Sequence, residues 1–276
     1  MKRKIPLAIC YDFDGTLAPG NMQERDFLPA LNISKEKFWT QVKAEAKKFD
    51  ADEINIYMKL MLEKADKESV PATEKAFKNF GSKLELFEGV VEWFDRINAY
   101  GNKNGINISH HIISSGLREM IQGTQIAKHF ENIYASSFCY DHHGVANWPA
   151  LSVNYTTKTQ YLFRINKGID NVYDNIAVNK YVSPHERPVP FSNMVYLGDG
   201  DTDIPCFRLV ETQGGTSIAV YKPKTRDARK KPEQLKKDGR VSFIASANYE
   251  ENSELDEILK ATIDKIKAES NYNNLK

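Results

Sequence analysis

Short apolar runs that stop at acidic residues alternate with helical spacings along most of this chain. Ile5-Pro6-Leu7-Ala8-Ile9-Cys10-Tyr11 is the first such run, closed by Asp12-Phe13-Asp14-Gly15, and predicts a buried strand. Pro6 sits at its start, where a missing N–H donor is tolerated. Residues 34–80 change character, being rich in Lys, Glu, Ala and Met. Phe38, Val42, Ala46 and Phe49 fall at helical spacing, and Ile54, Tyr57, Met58, Met61 and Leu62 follow the i, i+3, i+4, i+7, i+8 pattern of one helix face. Ser34 and Thr73 are the expected N-caps, and Gly81 the expected end of this block.

After residue 84 strand and helix patterns alternate. The spacing predicts a helix over 89–100, a strand over Ile106–Ser114, a helix over 117–129 and a strand over 132–138. Asp141-His142-His143-Gly144 reads as a turn, with Val145–Asn147 and Leu151–Val153 as hairpin arms. A helix over 158–166 follows, then buried strands at Met194–Leu197, Ser217–Val220 and Val241–Ala245. Leu255, Ile258, Leu259, Ile263 and Ile266, behind Ser253 as cap, predict a terminal amphipathic helix. Alternating strands and helices define an α/β domain with a mainly parallel sheet, and the helical block lies between its first and second strands as an insertion.

Composition narrows the classes. The 276 residues suffice for a sizeable core without disulfides, and an 11% aromatic content excludes disorder over most of the chain. The 38 Lys plus Arg against 37 Asp plus Glu leave a net charge of +1, which argues against a general nucleic-acid binder. Lys222–Arg240 holds nine Lys or Arg, but Asp227, Glu233 and Asp238 interrupt them, so a solvated face is expected. Cys10, Cys139 and Cys206 are widely spaced, which suggests neither a disulfide framework nor a zinc site and fits a reduced compartment. The basic start Met1-Lys2-Arg3-Lys4 precedes an apolar run too short for a signal peptide, and no run reaches the ~18 apolar residues of a membrane span. A soluble, cytoplasmic protein without a membrane or nucleic-acid partner is expected; oligomeric state stays open.

The chemistry lies in two acidic clusters, each behind a buried strand: Asp12-Phe13-Asp14 and Asp199-Gly200-Asp201-Thr202-Asp203. In extended backbone Asp12 and Asp14 point to one side while Phe13 packs away. The carboxyl ends of strands in an open α/β sheet line the ligand crevice, where both clusters would meet. Crowded carboxylates call for a hard, oxygen-seeking cation, of which Mg²⁺ is the common choice.

Asp12-Phe13-Asp14-Gly15-Thr16-Leu17 resembles the first motif of the haloacid dehalogenase (HAD) superfamily, and Gly198-Asp199-Gly200-Asp201-Thr202-Asp203 resembles its fourth. Ile112-Ile113-Ser114-Ser115-Gly116-Leu117 is similar to the second motif in its phosphoserine-phosphatase-like form, with Ser115 where that form has Gly. Lys158, at a helix start, is the best match to the third motif, with Lys167 as rival. The resemblance implies a Rossmann-like α/β core over 1–18 and 83–276, with helices on both faces of the sheet, and an α-helical cap over 19–82. It also implies Asp12 as nucleophile forming an aspartyl-phosphate, and Asp14 as general acid and then base. Ser114 and Lys158 would hold the phosphoryl oxygens. The implied Mg²⁺ ligands are Asp12, the Asp14 carbonyl, Asp199 and Asp203, the last acting through water or by holding Lys158; Asp201 is the less certain carboxylate.

An acid at position 14 favours phosphoryl transfer to water over dehalogenation, since a halide needs no proton to leave. No lysine of the insertion stands in an apolar setting that would suit Schiff-base chemistry. The expected protein is a Mg²⁺-dependent phosphatase on a small phosphorylated metabolite, a small-molecule phosphate ester. Its rivals are a phosphomutase and a non-catalytic binder of a phosphorylated ligand. Glu24 and Arg25 are candidates for substrate contact by position alone, and the cap's Met and aromatic residues are expected to be its core. His142 and His143 are expected as exposed turn residues, and His110 and His111 as packed strand residues. The Pro-rich segment 171–192 has no functional reading.

Overall fold

The computed structural model describes residues 4–275, so Met1–Arg3 of the basic start lie outside the described residues. A seven-stranded sheet with order β4-β3-β2-β1-β5-β6-β7 forms the centre. Its strands are β1 (Ile5–Tyr11), β2 (Ile106–Leu117), β3 (Asn132–Tyr140), β4 (Ala146–Leu151), β5 (Met194–Gly198), β6 (Thr216–Tyr221) and β7 (Phe243–Ser246). All neighbours pair in parallel except β3 and β4. The chain fills the sheet outward from β1 to β4, then returns to β5 on the other side of β1, which makes the β1/β5 boundary the topological switch point.

Continuous apolar runs become strands here because both faces are covered. Leu7, Ile9 and Tyr11 enter one apolar core, and Ala8 and Cys10 the other. The same alternation divides Val195 and Leu197 from Met194 and Tyr196. Helices α5 (Val90–Lys103) and α11 (Glu254–Asn273) supply the first core with Trp93, Phe94, Leu255 and Leu259. Helices α7 (Lys158–Lys167), α9 (Ile204–Thr212) and α10 (Lys230–Lys237) supply the second with Leu162, Phe207 and Leu235. The Rossmann-like α/β architecture is as expected.

Between β1 and α5 lie α1 (Phe27–Ala30), α2 (Lys35–Phe49), α3 (Glu53–Lys67) and α4 (Glu74–Gly81). Ser34, Asp52 and Thr73 cap the last three through side-chain oxygens. Their apolar faces join the first core rather than forming a separate one, with Phe77 stacked on Phe138 at 5.5 Å. Phe49 is the exception to its stripe: it is 57% exposed in the last turn of α2.

Several boundaries differ from the expectation. Strand β2 continues past Ser114 to Leu117, with its register against β3 shifting between those residues. The helix expected over 117–129 is only α6 (Arg118–Gly123), followed by a 3-10 turn at Ala127–His129. Helix α6 crosses α4 backbone to backbone, where a Cβ on Gly81 would overlap the Met120 carbonyl and one on Gly123 the Lys78 carbonyl, and it ends at Thr124, whose backbone is extended. The turn at Asp141–Gly144 forms, with Asp141 Oδ1 accepting from the N–H groups of His143 and Val145. Its arms are β3 and β4, so the two proposed arms do not pair with each other. The strand read at Val241–Ala245 lies at Phe243–Ser246. Segment 171–192 contains helix α8 (Asn175–Asn179) and is tied to α7, where Arg164 donates to the carbonyls of Asn171, Val172 and Asp174. Lys167 donates to the carbonyls of Val178 and Lys180 in the same segment.

Candidate active site

The backbone at the end of β1 aims two carboxylates into one cavity. Asp12 N–H donates to the Leu197 carbonyl at 2.9 Å, which fixes the end of β1 against the end of β5. Beyond it the chain curls around one acceptor: the Phe13 carbonyl receives the N–H groups of Thr16, Leu17 and Ala18. The Phe13 ring is buried in the first core, while Asp12 and Asp14 line a cavity of about 550 Å³. Gly15 has φ +74°, and a Cβ there would overlap the Asp199 carboxylate, so the close approach of the two acidic loops needs glycine at this position.

Lys158 stands at the first position of α7, fully buried, with Nζ 2.8 Å from Asp12 Oδ2 and 2.7 Å from Asp203 Oδ1. Burial acts to lower the lysine, but the two carboxylates outweigh it and hold it above its usual range, fully charged. Asp203 also builds its own loop, its Oδ2 accepting the N–H groups of Asp199 and Gly200 at 3.2 Å each. Lys167, the rival lysine, is committed to segment 171–192.

Asp12, Asp199 and Asp203 each place a carboxylate oxygen within 4.8 Å of the others. One ammonium pairs with two of these three groups, Asp12 and Asp203. Burial, then Asp12 and Asp203, push Asp199 up to about 7. An all-oxygen set with surplus negative charge is the donor chemistry that suits Mg²⁺. The Asp14 side chain stands apart from this trio: its Oδ1 accepts the Met22 N–H at 2.9 Å. Burial first, and the Asp12 charge second, push Asp14 well above the usual carboxylate range, which favours its protonated form.

Ser114 is buried at the β2 register shift, where its Oγ accepts the Gly116 N–H at 3.1 Å and its own O–H is left to donate. Ser114, Ser115 and Gly116 all line the cavity. Asp201 faces away; it is 74% exposed and pairs with Lys231 at 2.9 Å. Glu24 and Arg25 have structural partners. Glu24 accepts from Trp39 Nε1 at 2.8 Å and Asn21 Nδ2 at 2.6 Å, and Arg25 pairs with Glu85 at 2.8 Å. His142 and His143 are exposed, and His110 and His111 are buried. Burial pushes His110 down to about 3, so it is packed neutral, bonded to the Tyr11 hydroxyl and Asn98.

Sequence reasoning missed three contributors. Tyr196, buried in β5, donates its hydroxyl to Asp203 Oδ1 at 2.7 Å. Met22 fixes Asp14 through its N–H and accepts the Leu117 N–H on its sulfur. Asn154 organises the turn before Lys158 and donates to Asp52 at 2.6 Å, tying that turn to the start of α3. A tyrosine inside an otherwise apolar strand, close before an acidic loop, was the only available signal for the first. The other two carried none.

Known proteins resemble this chain in sequence and in fold. Residues 9–208 match the family model described as haloacid dehalogenase-like hydrolase. An uncharacterized protein of Borreliella burgdorferi is 28% identical over 281 residues, covering 92% of this chain and 95% of that one. Among solved structures, a phosphoserine phosphatase carrying a phospho-aspartyl intermediate analogue superposes with TM-score 0.55 at 14% identity, covering 94% of this chain and 99% of that one. A probable phosphoserine phosphatase of Vibrio cholerae gives 0.58 at 14% identity, covering 96% of this chain and 67% of that one. No helix among the described residues is long and apolar enough to cross a membrane. The chain belongs to the haloacid dehalogenase-like hydrolase family and shares the fold of its phosphoserine-phosphatase-like members.

Proposed function

We propose that the protein is a Mg²⁺-dependent phosphatase that hydrolyses a small phosphorylated metabolite through an aspartyl-phosphate on Asp12. The observation that carries the reading is the pairing of a lysine-held carboxylate with a second, separately held one two residues on. Asp12 is fixed by Lys158 at 2.8 Å, and Asp14 by the Met22 N–H at 2.9 Å.

An Asp12 carboxylate oxygen bonds to phosphorus as the bond from phosphorus to the alcohol oxygen breaks, and that oxygen takes the Asp14 proton. Asp14, now a carboxylate, removes a proton from water. The water oxygen bonds to phosphorus, the acyl-phosphate bond breaks, and Asp12 and inorganic phosphate are freed. The Ser114 hydroxyl and Lys158 ammonium meet the phosphoryl oxygens with fixed donors, whose orientation needs no rearrangement during transfer. Asp12, Asp199, Asp203 and the Asp14 carbonyl would hold Mg²⁺, which supplies charge neutralisation for the crowded carboxylates and the phosphate.

Residues 19–82 serve in this reading as the cap that excludes water and selects the leaving group. Supporting contacts are the Tyr57 hydroxyl on the Ser115 carbonyl at 2.7 Å and the Asp52–Asn154 bond. The test is phosphate release from p-nitrophenyl phosphate by the purified chain, with Mg²⁺ and after chelation. Release only with Mg²⁺, abolished by Asp12→Asn, is expected. Release without the metal, full activity in the variant, or transfer of phosphate between esters with none set free contradicts the reading.

A further inference from the structure

The wall above the carboxylates carries a different chemistry from the floor. Among the side chains of segment 19–82 that line it are Asn21, Gln23, Trp39, Glu53, Ile54 and Tyr57. They include one acid and no base. Gln23 is 2% exposed, and its buried Oε1 has no hydrogen-bond partner. An unpaired buried amide oxygen is costly, so buried polar atoms are normally satisfied.

The residues on either side of Gln23 are both held in place. Its neighbour Met22 is bonded through N–H to Asp14 and through sulfur to the Leu117 N–H. Glu24, on the other side, is held by Trp39 and Asn21. The loop is therefore pinned on both sides of a side chain that lines the cavity with an unmet acceptor. Lys222 and Lys231 also line the cavity, and Lys231 is paired with Asp201 at 2.9 Å.

We infer that Gln23 is a specificity-determining residue. With Glu53 it selects phosphate monoesters whose alcohol part carries hydrogen-bond donors, hydroxyl or ammonium, and no negative charge. The inference rests on the phosphatase reading for its natural setting, but the selection itself is a property of the cavity. A carboxylate on the leaving group would meet an acceptor at Gln23 and a like charge at Glu53. A hydroxyl or amine would satisfy the first and be attracted by the second.

The experiment compares ethanolamine phosphate, glycerol phosphate and a hexose phosphate with phosphoserine and phosphoglycolate, by kcat/KM with Mg²⁺ and by calorimetric binding to Asp12→Asn. About tenfold preference for the uncharged or ammonium-bearing alcohols is expected, the scale of one hydrogen bond to a buried group. The amine and polyol arms separate an ammonium substrate from a hydroxylated one. Gln23→Leu is expected to shrink the preference mainly through KM while raising the melting temperature, because it removes the unpaired oxygen; a purely structural glutamine would lower it. Glu53→Lys is expected to turn the preference toward the carboxylated esters. Tighter binding and faster turnover of the carboxylated esters by the unmodified protein, which would point to Lys222 as reader, overturns the inference, as does an unchanged preference in Gln23→Leu. If no ester is hydrolysed, the phosphatase reading fails by itself. Binding then decides this inference: the expected order supports it, and the reverse order or no binding overturns it.

Discussion

At the floor of the cavity Asp12 and Asp203 share the Lys158 ammonium at 2.8 and 2.7 Å, and Asp203 accepts from Tyr196 and two backbone N–H groups besides. On the wall, the Gln23 oxygen and the Ser115 hydroxyl are buried without partners. Both regions hold polar groups away from water; the floor's ion pairs are met internally, whereas these two wall atoms are not. Rigid, mutually bonded charges suit a reaction whose geometry does not vary from one ester to the next. Unmet donors and acceptors suit recognition, because a ligand completes them and a wrong ligand leaves them unpaired.

The largest expected effect lies at the floor. Lys158→Met leaves two buried carboxylates without their cation, and a broken buried pair costs about 3–5 kcal/mol. Thermal or urea unfolding is expected to show that loss together with collapse of phosphate release; a variant of normal stability would mean that the floor does not depend on its ion pairs. Asp14→Asn keeps an oxygen for the Met22 N–H but has no proton to give. Turnover is expected to fall about 10²–10⁴-fold, with an unchanged melting curve, and most steeply for esters with poor leaving groups. Tyr196→Phe removes one of several donors to Asp203, for which the net cost is about 1 kcal/mol. Unfolding experiments should show that modest loss, and a loss as large as that of Lys158→Met would make the hydroxyl, rather than the lysine, the anchor. The smallest effect is expected for Asp201→Asn. Its pair with Lys231 is exposed, worth below about 1 kcal/mol, and stability and phosphate release should both stay close to those of the unmodified chain.

The same contrast explains what could be read from the chain. The strands that carry the floor are apolar runs buried on both faces, so their ends, and with them Asp12, Asp14 and Asp199, stand out in a linear sequence. Asp201 and Asp203 could not be told apart by spacing. The 3-10 turn at Asp201–Asp203 decides it, turning the first out to Lys231 and the second in to Lys158. Lys158 itself was found by its order among the motifs, since one lysine at a helix start looks like another. The wall is built from a loop and the faces of α2 and α3, whose approach depends on tertiary contacts such as the α4/α6 backbone crossing at Gly81 and Gly123. Gln23 gave no signal because an unpaired oxygen exists only once its surroundings are folded.

The central claim is that the phosphoryl group passes through Asp12. It is tested most directly by acid-quenching the protein during turnover with Mg²⁺ and mapping phosphate by peptide mass spectrometry. A phosphate on the peptide and residue of Asp12, absent from Asp12→Asn, is the predicted result. Sustained turnover with no phosphate on that peptide, or phosphate on another residue, would contradict it.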